Sequence, residues 1–140
     1  MKRNLFLGII LLSSFILLSS TCNNSGDFTL KNGESVTRKI DGINYRIAVT
    51  DINDSRCPKD VKCVRAGEAF VNVSFKSGSG GEQLLQFCTG LDCRRSSITD
   101  TDTVGTPNEK IEIKLLSVTP DPTQTTTDGP KKATFTIRKL

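Results

Sequence analysis

The sequence predicts an all-β domain: a small antiparallel β-barrel or β-sandwich of about seven strands, with long disulfide-clamped loops. Three observations predict it. Apolar residues recur at every second position in several segments, as in Ile43, Tyr45, Ile47 and Val49, which is the periodicity of a strand with one buried face. Turn-forming stretches such as Asp41-Gly42 and Ser77 to Gly81 separate those segments. Four cysteines, Cys57, Cys63, Cys88 and Cys93, fall in or beside the polar stretches. No window beyond the first 27 residues carries a helical stripe.

A short strand is expected first, at Phe28 to Leu30. Val36 to Ile40 and the run from Ile43 form a hairpin, because Asp41-Gly42 readily supplies the positive φ angles of a type I′ turn. Asp51 to Lys62 is polar, contains Pro58 and reads as a loop. Glu68 to Lys76 alternates again, with Ala69, Val71, Val73 and Phe75 on one side, and Glu82 to Cys88 is the next strand. Thr89 to Asn108 holds little apolar material and reads as a long irregular excursion. Ile111, Ile113 and Leu115 open a strand that ends near Val118, and Pro120 to Pro130 is a Pro/Thr-rich loop. Ala133, Phe135 and Ile137 form the last strand, with Lys131, Thr134, Thr136 and Arg138 expected to face out.

The first residues carry an address rather than structure. Lys2 and Arg3 precede an apolar run from Leu5 to Leu18, and small residues Ser19, Ser20 and Thr21 lead to Cys22. A secretory signal has this order, and the run is short for a membrane span of about 20 residues. The expected division is a lipoprotein signal peptide at 1–21, a tether at 22–27 and a single β domain at 28–140. The cysteine after the small residues resembles the lipobox of bacterial lipoproteins, although Ser19 stands where a Leu is common. That resemblance implies lipidation of Cys22, hence membrane attachment and a place in the bacterial cell envelope, as an outer-membrane lipoprotein facing the periplasm or the cell surface.

Export suits the remaining cysteines. An even number in a small exported domain implies two disulfides. The spacing favours the local pairs Cys57–Cys63 and Cys88–Cys93, with a crossed arrangement as the competitor. A four-thiolate metal site is disfavoured: five and four residues intervene where zinc knuckles use about two to four, no His is present, and the destination is oxidising. No metal and no cofactor is expected.

Composition closes off other functions. The chain of 140 residues has 19 basic and 15 acidic residues, so removal of Lys2 and Arg3 leaves 17 − 15 = +2. That is too mild for a nucleic-acid footprint. With 0 histidines, Ser-His-Asp and Cys-His catalysis and histidine zinc sites are excluded. No Gly-x-Ser-x-Gly elbow and no Ser-x-x-Lys motif occurs, and Gly78-Ser79-Gly80-Gly81 lacks the ending of a phosphate loop. The chain is not expected to be an enzyme.

The most distinctive string is Asp54-Ser55-Arg56-Cys57-Pro58, followed by Cys63, Ala66, Gly67, Glu68 and Ala69. It resembles a DSRCPxxxxCxWAGEA signature of small exported lipoproteins from Bacteroidetes-like bacteria, with Arg65 in place of the common Trp and Asp121 in place of an aromatic farther on. In plain structural terms Asp54, Ser55 and Pro58 are turn formers, and Arg56 would fix the loop through carbonyls or a carboxylate such as Glu68. In size, architecture and export route the chain is also similar to potempins, lipoprotein inhibitors of secreted peptidases. That similarity implies a lipid-anchored inhibitor of a secreted endopeptidase, metallopeptidase first and serine peptidase second. The alternative is a non-enzymatic envelope lipoprotein that serves as a protein-binding adaptor. For inhibition, the loop between Cys88 and Cys93 supplies the candidate contacts. Leu91 would fill an apolar pocket, Asp92 would approach a catalytic metal, and Arg94 and Arg95 would meet an acidic rim. The same loop also reads as a hairpin turn with a solvated basic flank.

Overall fold

The computed structural model describes residues 26–78, 80–95, 97–106, 109–124 and 129–140, except for the side chains of 95 and 106. The signal segment 1–21 and the lipidation candidate Cys22 lie outside the described residues, as do 23–25 of the tether. Among the described residues eight strands are formed: β1 (Phe28–Lys31), β2 (Ser35–Ile40), β3 (Ile43–Asp54), β4 (Ala69–Ser77), β5 (Glu82–Thr89), β6 (Thr101–Thr106), β7 (Glu109–Thr119) and β8 (Lys132–Lys139). They make two four-stranded sheets, ordered β1-β8-β7-β6 and β2-β3-β4-β5, with every pair antiparallel. The class is all-β, as the alternation predicts, and its form is a small sandwich.

The eighth strand corrects the sequence expectation. β6 lies within the stretch read as irregular, because TDTVGT contributes a single core residue, Val104, to the buried face. Its place comes from the backbone ladder with β7, which no hydrophobic period records.

Each strand follows its predecessor in space, except where the chain changes sheet between β1 and β2 and between β5 and β6. Both changes are stitched by the main chain. At the first, Gly33 N–H donates to the Val49 carbonyl at 2.8 Å and Val49 N–H donates to that of Glu34 at 3.0 Å. At the second, Cys88 N–H reaches the Thr99 carbonyl at 2.9 Å and Leu115 N–H reaches that of Asp100 at 2.7 Å. Of these bonds the one from Cys88 lies on an edge strand, β5, where it occupies part of the open edge and blunts strand addition.

The core lies between the two inner faces. Phe135 stacks on Phe28 with centroids 5.8 Å apart and meets the edge of Phe87 at 5.6 Å, while Tyr45 stacks on Phe75 at 5.8 Å. Ile47, Val49, Val71, Val73, Ile113 and Phe135 are fully buried, each contributing about 1.5–3 kcal/mol through the water-free contact it makes.

The Asp41-Gly42 hairpin forms as expected, with φ of 48° and 85° at its two central residues. A Cβ at Gly42 would meet nothing within 4 Å, so Gly42→Ala isolates the conformational term. It is expected to cost about 1 kcal/mol, read as a melting temperature lowered by about 4 °C. An unchanged melt would show that the turn relaxes freely.

Two bulges re-aim the ends of the longest strands. The β3–β4 register shifts between Val49 and Asp51, and the β7–β8 register shifts between Leu115 and Ser117. Before each bulge the odd-numbered residues point inward (Tyr45, Ile47, Val49; Ile111, Ile113, Leu115), and beyond it the even-numbered ones do. An extra residue in one strand changes the face of every later side chain. Asp54 and Val118 are in this way both turned inward at the same end of the sandwich. From that end leave the β3–β4 loop (55–68), the β5–β6 loop (90–100) and the β7–β8 loop (120–131). β1 runs toward this end too, since Lys31 pairs with Lys132, and Phe28 is its far residue.

Candidate functional site, the braced loop end

At the centre of the loop end sits a charged clasp. The Asp54 side chain is only 2% exposed, and Arg56 grips it with both arms: Nε to Oδ1 at 2.7 Å and Nη2 to Oδ2 at 2.8 Å. Arg56 also donates from Nη1 to Asp121 Oδ1 at 2.9 Å and from Nη2 to the Val118 carbonyl at 2.9 Å. One planar fork thus ties the β3–β4 loop to the β7–β8 loop, which an ammonium could not do from a single point charge. Lys131 adds a cation 3.1 Å from Asp54 Oδ2 and donates to the Pro120 carbonyl. Lys59 pairs with the other oxygen of Asp121.

Two carboxylates, Asp54 and Asp121, thus face three cations, Arg56, Lys59 and Lys131. Burial alone drives the Asp54 carboxyl upward, but hydrogen bonds from Arg56 and Lys131 outweigh it and hold that carboxyl below the usual carboxylate range. The Asp121 carboxyl is lowered too, first by the hydrogen bond from Lys59. Two sequence expectations change here. Arg56 does fix the loop through a carbonyl, that of Val118, and through carboxylates, but these are Asp54 and Asp121 in place of Glu68, with the β3 bulge turning Asp54 into its reach. Lys131 faces inward with its side chain 14% exposed, drawn by the buried carboxylate.

The loops are then bound to each other by main chain. Ser55 N–H and Oγ both donate to the Glu68 carbonyl at 2.9 and 2.8 Å, and Cys57 N–H donates to that of Ala66 at 2.7 Å. A ribbon therefore prolongs β3 and β4 beyond the sheet. Gly67 holds φ of 73°, and a Cβ there would fall 2.1 Å from the Ser55 carbonyl oxygen. The closeness of the two backbones, and not the turn alone, requires glycine. On the other side, Gly67 N–H donates to Asp92 Oδ2 at 2.8 Å, and Lys59 N–H reaches the Pro122 carbonyl at 3.2 Å. Asp60 accepts from Gln124 N–H at 2.9 and 3.1 Å.

The disulfides are Cys57–Cys63 and Cys88–Cys93, the local pairing that the spacing favours. Glu68 brings a carboxylate to within 4.8 Å of Cys88 and Cys93, but both sulfurs are tied up in the disulfide, so this cluster offers no thiolate to a cation.

The candidate contact residues separate. Leu91, at the start of a 3₁₀ turn (Leu91–Arg95), is 67% exposed and free to touch a partner. Arg94 is exposed, and the Arg95 side chain lies outside the described residues. Asp92 is turned inward, 7% exposed, between Gly67 N–H and Arg65 Nε at 3.5 Å. It holds the β3–β4 loop and does not present its carboxylate to an external metal. Sequence reasoning misses Val64, which at 105% exposure is the most exposed large hydrophobic residue at this end. A lone apolar residue between a cysteine and an arginine gives no periodic signal.

No family model matches the chain, and no curated protein or solved structure matches it either.

Proposed function

We propose that this protein is a lipid-anchored inhibitor of a secreted endopeptidase, a metallopeptidase in the first instance and a serine peptidase in the second, acting without catalysis of its own. The observation that carries the reading is the cross-bracing of the loop end. Two apolar side chains, Val64 and Leu91, project from loops whose backbones are held by disulfides, by the Arg56 clasp and by main-chain hydrogen bonds. Loops already fixed in one shape lose little freedom on entering a cleft, which is what a tight inhibitor needs. Lipid attachment at Cys22 and residence in the cell envelope belong to the same proposal and rest on the order of the first 22 residues.

The test is a titration of the purified protein against thermolysin, subtilisin, chymotrypsin and the secreted peptidases of the organism that makes it. Stoichiometric loss of activity of at least one of them, with a dissociation constant of about 10 nM or tighter, is the expected result. Full activity of every peptidase at micromolar protein would overturn inhibition and leave the adaptor role.

A further inference from the structure

Resting on that reading, we infer that Val64 is the residue that enters the target's primary apolar pocket, with Lys62 and Arg65 set against an acidic rim around it. The sequence points instead to Leu91; three observations move the contact one loop over.

The first is exposure combined with fixation. Val64 is 105% exposed, yet the chain is held directly before it and two residues after it: Cys63 by its disulfide to Cys57, and Ala66 by the hydrogen bond from Cys57 N–H at 2.7 Å. A β-branched side chain has few rotamers of its own to lose. An apolar group so placed carries its full burial free energy into an interface with little ordering cost.

The second is position. The β3–β4 loop lies between its two neighbours and touches both, through Lys59 and Asp60 on the β7–β8 side and through Arg65 and Gly67 on the β5–β6 side. Arg65 Nε is 3.5 Å from Asp92 Oδ2, so Val64 and Leu91 stand one residue away from a shared contact. Val64 belongs to the central loop of the three and Leu91 to a flank. Hot-spot side chains cluster at the centre of an interface, and flanking contacts serve to exclude water.

The third is charge. Residues 55–68 carry four basic groups (Arg56, Lys59, Lys62, Arg65) against two acidic ones (Asp60, Glu68). The carboxylates nearest the tip already have partners within the protein: Asp54 and Asp121 face Arg56, Asp60 faces Gln124 N–H, and Asp92 faces Gly67 N–H. Lys62 is exposed, and the Arg65 side chain is 67% exposed. Residues 55–68 keep a net charge of 4 − 2 = +2, and the outermost charges at the tip, on exposed Lys62 and on Arg65, which shares Asp92 with Gly67 N–H, are positive. The occupant that fits is therefore a cleft with an apolar pocket and carboxylates on its lip.

The experiment uses the peptidase inhibited most strongly in that titration, and compares wild type with Val64→Asp, Leu91→Asp and Leu84→Asp. Leu84 is 80% exposed on β5 and does not belong to any of the three loops. All three substituted side chains are well exposed, so unchanged melting curves are expected, and they separate loss of contact from loss of fold. Val64→Asp is expected to weaken inhibition by at least about 30-fold, Leu91→Asp by less, and Leu84→Asp not at all. Lys62→Glu and Arg65→Gln are expected to slow association about 10-fold at low salt, with a small change in dissociation. If wild type inhibits but Val64→Asp inhibits equally well, or Leu91→Asp is the variant that fails, this assignment is overturned while the inhibitor reading stands. If wild type inhibits nothing, both fall.

Discussion

Arg56→Ala is expected to lower stability by about 4 kcal/mol and the melting temperature by about 16 °C. The substitution removes the fork and leaves the Asp54 carboxylate, its side chain 2% exposed, with the Lys131 ammonium and the main-chain N–H of residue 56 at 3.3 Å. Breaking a buried ion pair from one side costs about 3–5 kcal/mol, since the remaining charge is stranded away from water. A domain of this size loses about 4 °C of melting temperature per kcal/mol. The Val118 carbonyl and Asp121 Oδ1 lose their donor in the same stroke, and Asp121 keeps Lys59 alone. The clasp also leaves a mark on acid stability. The Asp54 carboxyl is held below its ordinary value in the folded chain, so the folded state binds fewer protons there than the unfolded one. Its contribution is complete above the unfolded value of about 3.9 and fades as the pH falls through the lower folded value. Melts from pH 7 downward should show wild type losing stability below about pH 4 and Asp54→Asn, already weaker, losing distinctly less over the same window. Parallel curves would mean that the clasp does not titrate as its geometry implies.

Gly67→Ala is expected to be the next most damaging change, at about 3 kcal/mol. One methyl group would sit 2.1 Å from the Ser55 carbonyl oxygen and 2.8 Å from Arg56 Cα, both main-chain atoms that no rotamer can move aside. A further penalty of about 1 kcal/mol comes from φ of 73° at a residue with a Cβ. The two strands of the ribbon must part, and with them the hydrogen bonds of Ser55 to Glu68 and of Cys57 to Ala66. Limited trypsin digestion at Lys59 and Lys62 should accelerate well beyond what Gly42→Ala produces, although both changes place alanine at a positive φ. Equal digestion of the two variants would show that backbone contact at Gly67 is not the constraint.

How much of the fold and the site is legible in the sequence depends on whether a feature is periodic. Strands β3, β4, β7 and β8 bury every second side chain, and alternation finds such strands. β6 offers Val104 alone and is held by pairing with β7, which is information stored in another strand. The bulges leave only a faint trace, a change of inward phase from odd to even after Val49 and after Leu115. Without that change of phase Asp54 reads as a turn former. Lys131 shares the odd phase of Ala133, Phe135 and Ile137, and is read as solvated only because it is a lysine, whereas both meet in the clasp. The disulfide pairing is legible from spacing. The proposed contact tips are not: Leu91 stands out as the one apolar residue in a disulfide loop, whereas nothing in the sequence around Val64 marks it until the loop that carries it is seen to be tied down.

The main-chain bracing separates two tasks that most binding surfaces mix. Amide to carbonyl, glycine against backbone, and a sunken guanidinium hold the loops in place, while the exposed side chains of Val64, Lys62 and Leu91 meet the outside. The tips at Val64, Lys62 and Leu91 could therefore be rewritten while the frame beneath stays intact. Such a frame is suited to diversification, whether by natural divergence toward new targets or by a randomised library displayed on those positions.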